Sequence, residues 1–239
     1  MNLNQQQTAY LSDTYNRMEQ KFRAECHRMN GRIPYISIDG AYPTWDESMI
    51  NWWTNGFWGG IMWQLYHAEN NSDYMSEANC LEEHLEKAFE HFDLLDHDVG
   101  FLWLHTAVAH YRLTGDPTAR QRGLRAAAVL ASRYCPAGEY IRAWNRPGLS
   151  QMIIDCVMNL PLLFWAASEG AGDHYRQIAI HHLDRVLTHI IREDGSCNHI
   201  VEFDEATGEV LNIPGGQGYG ENSSWSRGQS SAIYGLALA

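Results

Sequence analysis

Two aspartates in unlike settings, an arginine and an abundance of tryptophan are the side chains of this sequence best suited to chemistry. Asp155 lies in the run Met152-Ile153-Ile154-Asp155-Cys156-Val157-Met158-Asn159-Leu160. A carboxyl among such neighbours loses hydration, so its pKa rises and it stays protonated, the state a general acid needs at neutral pH. The same residue could equally bond to nearby backbone or to Arg227. Asp98 lies in Leu95-Asp96-His97-Asp98-Val99-Gly100-Phe101, where it is either a second site carboxyl or an N-cap for the following helix. The Asp-His-Asp run could also bind metal, but no HExxH, calcium loop or other spaced ligand set accompanies it, so no metal or other cofactor is expected. Arg227, in Ser223-Ser224-Trp225-Ser226-Arg227-Gly228-Gln229, offers a bidentate clamp for a carboxylate or a surface ion pair. Nine Trp and twelve Tyr supply flat faces that suit a pyranose ring, although core packing also explains them. Gly215-Gly216-Gln217-Gly218 lacks the Lys-Ser/Thr ending and the preceding buried strand of a phosphate loop, and no GxSxG nucleophile motif occurs.

These residues must be positioned by helices. Leu11, Tyr15, Met18 and Phe22 form one apolar stripe at helical spacing. Leu81, Leu85, Ala88, Phe89 and Phe92 form a second, and Leu183, Leu187, Ile190 and Ile191 a third. Segments 57–68, 101–113 and 152–167 are apolar almost all round, as helices buried on several sides are. Three turns, at 70–73, 114–117 and 170–173, each end a buried helix and start an amphipathic one, with Asp73, Asp116 and Asp173 as expected N-caps and Pro117 at a first helical position. That is a weak repeat of helical hairpins, and a ring with buried helices inside and amphipathic helices outside accounts for it. Residues 197–203 and 210–213 read as a short β-hairpin. Ser223 or Ser224 could then cap a fourth buried helix, which runs to Ala239. A buried helix ending without an outer partner predicts a chain truncated after its fourth inner helix.

In such a ring the N-terminal ends of the inner helices share one face. Trp53 precedes the first, His97 and Asp98 the second, Asp155 lies near the start of the third and Arg227 near that of the fourth. These residues are therefore expected to converge on one pocket.

Composition limits the partners. The net charge is −12, from 17 basic and 29 acidic side chains, which argues against nucleic acid or an anionic membrane surface. No stretch approaches the length of a membrane span. The first residues lack the basic and apolar regions of a signal peptide. Five scattered cysteines form no CxxC pair, so a reducing, cytoplasmic setting is expected, for a monomer or a weak homo-oligomer.

Four segments together resemble glycoside hydrolase family 88, the unsaturated glucuronyl hydrolases. They are 53–58 (Trp-Thr-Asn-Gly-Phe-Trp), 95–101, 153–163 (Ile-Ile-Asp-Cys through Asn-Leu-Pro-Leu-Leu), and 225–229 (Trp-Ser-Arg-Gly-Gln) with 233–235 (Ile-Tyr-Gly). Their order and rough spacing agree over nearly the whole chain. The resemblance implies a single domain over 1–239, all-α, an (α/α)6 toroid lacking its C-terminal part. It places the general acid/base on Asp155 and an assisting carboxyl on Asp98. Sugar contacts fall on Trp53, His97, Trp144, His199, Gln217 and Arg227. The loop 145–150 looks shortened, and Ser231 stands where the family often has Trp. The implied substrate is an oligosaccharide ending in a 4,5-unsaturated uronate, opened by hydration of its double bond. A related unsaturated rhamnogalacturonyl hydrolase and a non-catalytic carbohydrate-binding scaffold are the alternatives.

Overall fold

A computed structural model of the chain describes residues 3–43 and 49–239. Helix α1 (Gln5–Met29) opens with a capping box: Asn4 Oδ1 accepts from the Gln7 amide at 2.9 Å, and Gln7 Oε1 accepts from the Asn4 amide at 3.0 Å. Three inner–outer hairpins follow. The first is α2 (Asn55–Glu69) and α3 (Ser72–Glu86). The second runs through α4 (Val99–Trp103), a π turn (Leu104–Val108) and α5 (Ala109–Thr114), then returns along α6 (Pro117–Ser132). The third is α7 (Pro161–Ser168) and α8 (His174–Arg185), the latter continued by a second π turn (Val186–Ile190). Helix α9 (Ser226–Leu238) packs on the segment before α7 as a fourth inner element. Among the described residues no helix is long and apolar enough to cross a membrane.

The turn chemistry holds in part. Asp116 caps α6 through the Ala119 amide at 2.8 Å, with Pro117 in the first turn. At the first hairpin the cap is Asn71, which accepts from the Asp73 amide, so Asp73 lies inside the helix. Asp173 occupies the cap position of α8, but its carboxylate bonds Arg176 and Gln177 instead of backbone. Neither Ser223 nor Ser224 caps α9: their hydroxyls donate to the Gly220 carbonyl and to Gln229 Oε1. Trp225 holds that cap position without a side-chain bond.

The third buried segment departs most from expectation. Residues 152–167 are not one helix. Strand β3 (Ser150–Ile153) comes first, then a 3-10 turn (Ile154–Met158), and α7 starts only at Pro161. An unbroken apolar run does not distinguish strand from helix, and Pro161 cannot sit in a helix interior. Two minimal strands, β1 (Tyr134–Cys135) and β2 (Tyr140–Ile141), precede β3. The expected hairpin is present as β4 (Ile200–Phe203) and β5 (Val210–Asn212). β3 joins it as an antiparallel third strand, with Ile153 opposite Ile200 and Ser150 opposite Phe203.

The amphipathic stripes also bend. Leu11 and Met18 on α1 are half exposed, and the helix packs instead through Phe22, Cys26 and Met29. The π turn after α8 adds a residue to the register, which buries Val186 and Ile190 and turns Leu187 outward.

Two buried glutamates bind the first hairpin to its neighbours. The Trp58 and Trp63 indoles on α2 donate to Glu77 and Glu82 on α3, at 3.0 and 2.9 Å. Glu77 also accepts from the Gly31 amide at 2.8 Å, tying the end of α1 to the hairpin. Glu82 meets His110 Nδ1 of α5 at 3.1 Å and Arg122 of α6 at 3.2 Å, while the His110 ring stacks on Trp63 at 4.3 Å. At Gly56 a Cβ would lie 2.2 Å from the Phe101 carbonyl oxygen, so α2 and α4 touch through backbone. Glu82→Ala strips three donors of a buried acceptor. It is expected to cost about 3 kcal/mol, lowering Tm by roughly 6–12 °C in a thermal melt.

Candidate active site

A cavity of about 380 Å³ opens where the N-terminal ends of the inner elements meet. Trp53, His97, Asp98, Trp144, Asp155, Gln217 and Arg227 all reach its wall. His199 stands directly behind Asp155. The expected convergence is therefore present, although Asp155 arrives on a 3-10 turn after a strand and not on a helix.

Asp155 is the most connected of them. It is 4% exposed. Its Oδ1 accepts from Arg227 at 3.2 Å and from the Ser231 hydroxyl at 3.1 Å. His199 Nε2 lies 3.6 Å from Oδ2. The Gln217 backbone amide donates to His199 Nδ1 at 2.9 Å, so Nδ1 is an acceptor and the ring N–H is on Nε2, facing the carboxylate. That contact requires Gly216, at φ +58, because a Cβ there would lie 2.0 Å from the His199 ring. Arg227 stacks over Trp225 at 3.9 Å, lies 5.2 Å from the Trp53 ring centroid and donates to Gln217 Oε1 at 3.2 Å. Trp53 packs on Phe57 and Phe101.

The second carboxyl has different surroundings. Asp98 takes the cap position of α4 without a side-chain cap bond. His97 Nε2 is 3.4 Å away, and the His97 ring is fully buried, with both nitrogens lacking a hydrogen-bond partner. Burial drives the His97 pKa down and keeps the ring neutral. It meets Trp144 edge-on at 6.2 Å.

These settings reverse the protonation expected of the two carboxyls. Burial drives the Asp98 pKa up to about 7, and the negative Asp155 adds to the rise. Burial pushes Asp155 upward too, but His199, the Arg227 charge and the Ser231 hydroxyl outweigh it and hold its pKa below the ordinary value. As pH falls below about 7, Asp98 is thus the carboxyl that carries the proton in the empty site, while Asp155 stays ionised. The apolar run around Asp155 shows only the burial; the Arg227 charge and the Ser231 hydroxyl that oppose it come from 72 and 76 positions away.

Several contributors escaped sequence reading. Arg133 is buried and donates to the carbonyls of Leu95, Arg142 and Ala143 and to Asn145 Oδ1. It thereby fixes the loop that carries Trp144 against the turn that carries His97. Nothing in its local sequence marks it. Asn159 Oδ1 accepts from the Phe101 amide at 2.8 Å and locks α4 to the Asp155 turn. Ser231, noticed only as a departure from a pattern, is a direct partner of Asp155. Asp96, His97 and Asp98 can bring one donor atom each within 4.8 Å of one another, the group among the described residues that could hold a cation here. A proton resident on Asp98 works against that use.

The chain is similar to known proteins in sequence and in fold. No family model matches the chain. An unsaturated chondroitin disaccharide hydrolase from Streptococcus pyogenes is 37% identical over 205 residues, covering 84% of this chain and 50% of the relative. An unsaturated glucuronyl hydrolase from Bacillus sp. strain GL1 is 36% identical over 218 residues, covering 88% and 57%. The crystal structure of unsaturated glucuronyl hydrolase from Streptococcus agalactiae superposes with a TM-score of 0.84 at 31% identity, over 93% of this chain and 58% of that one. The chain belongs to the unsaturated glucuronyl hydrolase family. It spans about half the length of the curated relatives it matches. Its helical hairpins are the hairpins of that family's fold.

The Asp98 shift has a stability consequence. A carboxyl whose folded pKa is raised favours the folded state below the unfolded value, near 4, and loses that contribution as pH rises through about 7. Asp98→Asn cannot ionise and should lose this decline. Its Tm is expected to exceed the parent's by several degrees at pH 8 and to match or fall below it at pH 4. Parallel melts across that range check it, and equal offsets at both ends would show that Asp98 ionises freely in the folded protein.

Proposed function

We propose that the chain carries the catalytic part of an unsaturated glucuronyl hydrolase, built as a single domain on part of a six-hairpin (α/α) toroid. Its substrate is an oligosaccharide, left by a polysaccharide lyase, that ends in 4,5-unsaturated glucuronic acid. The names of its relatives and the cavity's aromatic and carboxyl lining support that substrate class. The single observation that carries the reading is the buried Asp155 carboxyl, held by Arg227, Ser231 and His199 in the wall of a cavity that Asp98 shares. Five free thiols favour a reducing compartment, and the protein is read as a monomer or a weak homo-oligomer.

The chemistry follows from one proton shared between two carboxyls. In the empty site it rests on Asp98. The uronate carboxylate enters beside Arg227 and competes with Asp155 for the guanidinium. As Arg227 turns to the substrate, burial dominates at Asp155 and its proton affinity rises. Asp155 takes the proton from Asp98 and gives it to C4, and the C4=C5 electron pair forms the new C–H bond. The positive charge at C5 spreads onto the ring oxygen. Asp155, ionised again, takes a proton from the water that adds to C5. The resulting hemiketal opens to a C5 ketone, leaving C1 as a hemiacetal that expels the neighbouring sugar as its alcohol. The Trp53 and Trp144 faces hold the ring, and His199 keeps Asp155 in place.

Loss of the enol-ether absorbance of an unsaturated disaccharide tests the reading directly. Asp155→Asn is expected to lower kcat by about 10²–10⁴-fold, the range of general acid–base catalysis, with a far smaller change in KM. Unimpaired turnover by that variant would remove Asp155 from the chemistry.

The pH profile is a second test. Activity needs one proton on the pair, so kcat/KM of the parent is expected to fall as pH rises through about 7. In Asp98→Asn that alkaline limb should move or vanish. A limb at the same pH in both proteins would assign it to another group.

A further inference from the structure

The cavity has two guanidinium groups in its lining, and they differ in how far they are already engaged. Arg227 is bonded to Asp155 and to Gln217. Arg146 is not: among the described residues it forms no side-chain hydrogen bond or ion pair, and its contact is the face of Trp144, 4.3 Å from the ring centroid. Its position is nevertheless fixed. Asn145 beside it bonds to the Asp93 and Leu95 carbonyls and to Arg133, and the Leu149 amide closes the loop onto the Arg146 carbonyl at 3.2 Å. The root of the loop is anchored, and the charged tip is left exposed at the cavity mouth, supported on an aromatic face.

Trp52 reaches the same cavity, exposed and braced edge-on by Tyr35 at 5.8 Å. Trp53 and Asp155 lie further in, packed among Phe101 and the inner elements. A uronate whose C4 must reach Asp155 occupies that inner part, next to Arg227. The sugar attached to it then lies at the mouth, near Trp52 and Arg146. This chain carries a net charge of −12, and three aspartates, Asp96, Asp98 and Asp155, line the cavity. A second anionic group entering there needs a local cation to offset that field. A planar guanidinium whose N–H donors bond to none of the described residues matches a sulfate ester or a carboxylate bidentately.

We propose that Arg146 is a specificity-determining residue that recognises an anionic group, a sulfate ester or a carboxylate, on the sugar next to the unsaturated uronate. The inference rests on the function proposed above, and its test separates the two. Three unsaturated disaccharides are compared on the parent, Arg146→Ala and Arg146→Lys: one with a neutral second sugar, one sulfated there and one carrying a carboxylate there. Turnover is followed by loss of the enol-ether absorbance. Binding of the corresponding saturated disaccharides is followed by tryptophan fluorescence. The binding arm reads Arg146 even if no sugar is turned over, an outcome that would overturn the proposed hydrolase and not this assignment.

The quantity that decides is the preference for anionic over neutral ligand, as a ratio of Kd values and, where there is turnover, of kcat/KM. The parent is expected to prefer an anionic ligand. Arg146→Ala should reduce that preference about tenfold, the scale of a charge-assisted hydrogen bond. Arg146→Lys should keep part of it, and the effect should shrink with added salt. Whichever of the sulfate and carboxylate arms shows the larger loss identifies the group read. An equal preference in parent and Arg146→Ala overturns the proposal, as does an equal loss on neutral and anionic ligands, which would assign Arg146 to the uronate itself or to support of Trp144.

Discussion

Everything at this site depends on placing two carboxyls in one poorly hydrated cavity with a single engaged guanidinium between them. Two negative charges so close and so shielded cannot both persist at neutral pH. The protein resolves the conflict by unequal pairing. Asp155 receives Arg227, Ser231 and the facing edge of His199, while Asp98 receives a neutral imidazole that offers it no charge. One proton therefore has a defined resting place, and the other carboxyl is kept ready by contacts that an incoming anion can disturb.

The fold serves that constraint by holding separate pieces of chain in register. The Arg227–Asp155 pair spans 72 residues and joins α9 to the turn after β3. Asn159 links that turn to α4, and Gly56 lets α2 approach α4 at backbone distance. Arg133 does the same for the loops: its buried guanidinium gathers carbonyls from 95, 142 and 143, none of them part of a helix. Losing Arg133 would take a donor from each of those carbonyls and leave Leu95 only Asn145 and Ala143 only the His97 amide, so the positions of His97 and Trp144 depend on it although it does not reach the cavity wall. The buried glutamates on α3 play the corresponding part for the helices, each taking an indole from α2 and a second partner from elsewhere.

What the sequence makes legible divides along a physical line. Local signals carry well: the turn at Gly115-Asp116-Pro117, the apolar character of α2 and of the rod from Val99 to Thr114, and the β4–β5 hairpin are written in consecutive residues. Trp53, Asp98 and Arg227 flank inner helices, so their meeting follows from the hairpin repeat. Non-local features do not carry. Strand β3 is a strand because β4 pairs with it, and the run Met152-Ile153-Ile154 alone fits either state. The π turn at Val186–Ile190 shifts a stripe by one residue without any composition that announces it. The protonation order of the two aspartates was legible only as far as burial, since the charges that reverse it are supplied by α9 and by the approach to β4.

That last reversal bears on how a general acid can be recognised. An apolar sequence environment argues for a raised carboxyl pKa, yet the residue in that environment is here the ionised one. A carboxyl meant to cycle between acid and base cannot be stranded permanently protonated, because it must also accept a proton from water. Pairing it with a guanidinium that the substrate's own carboxylate can attract makes its proton affinity depend on occupancy. The buried neighbour, Asp98, then needs no cation of its own, since its task is to keep the proton within reach while the site is empty. Burial sets the size of the possible shift at Asp155, and Arg227 decides when that shift is expressed.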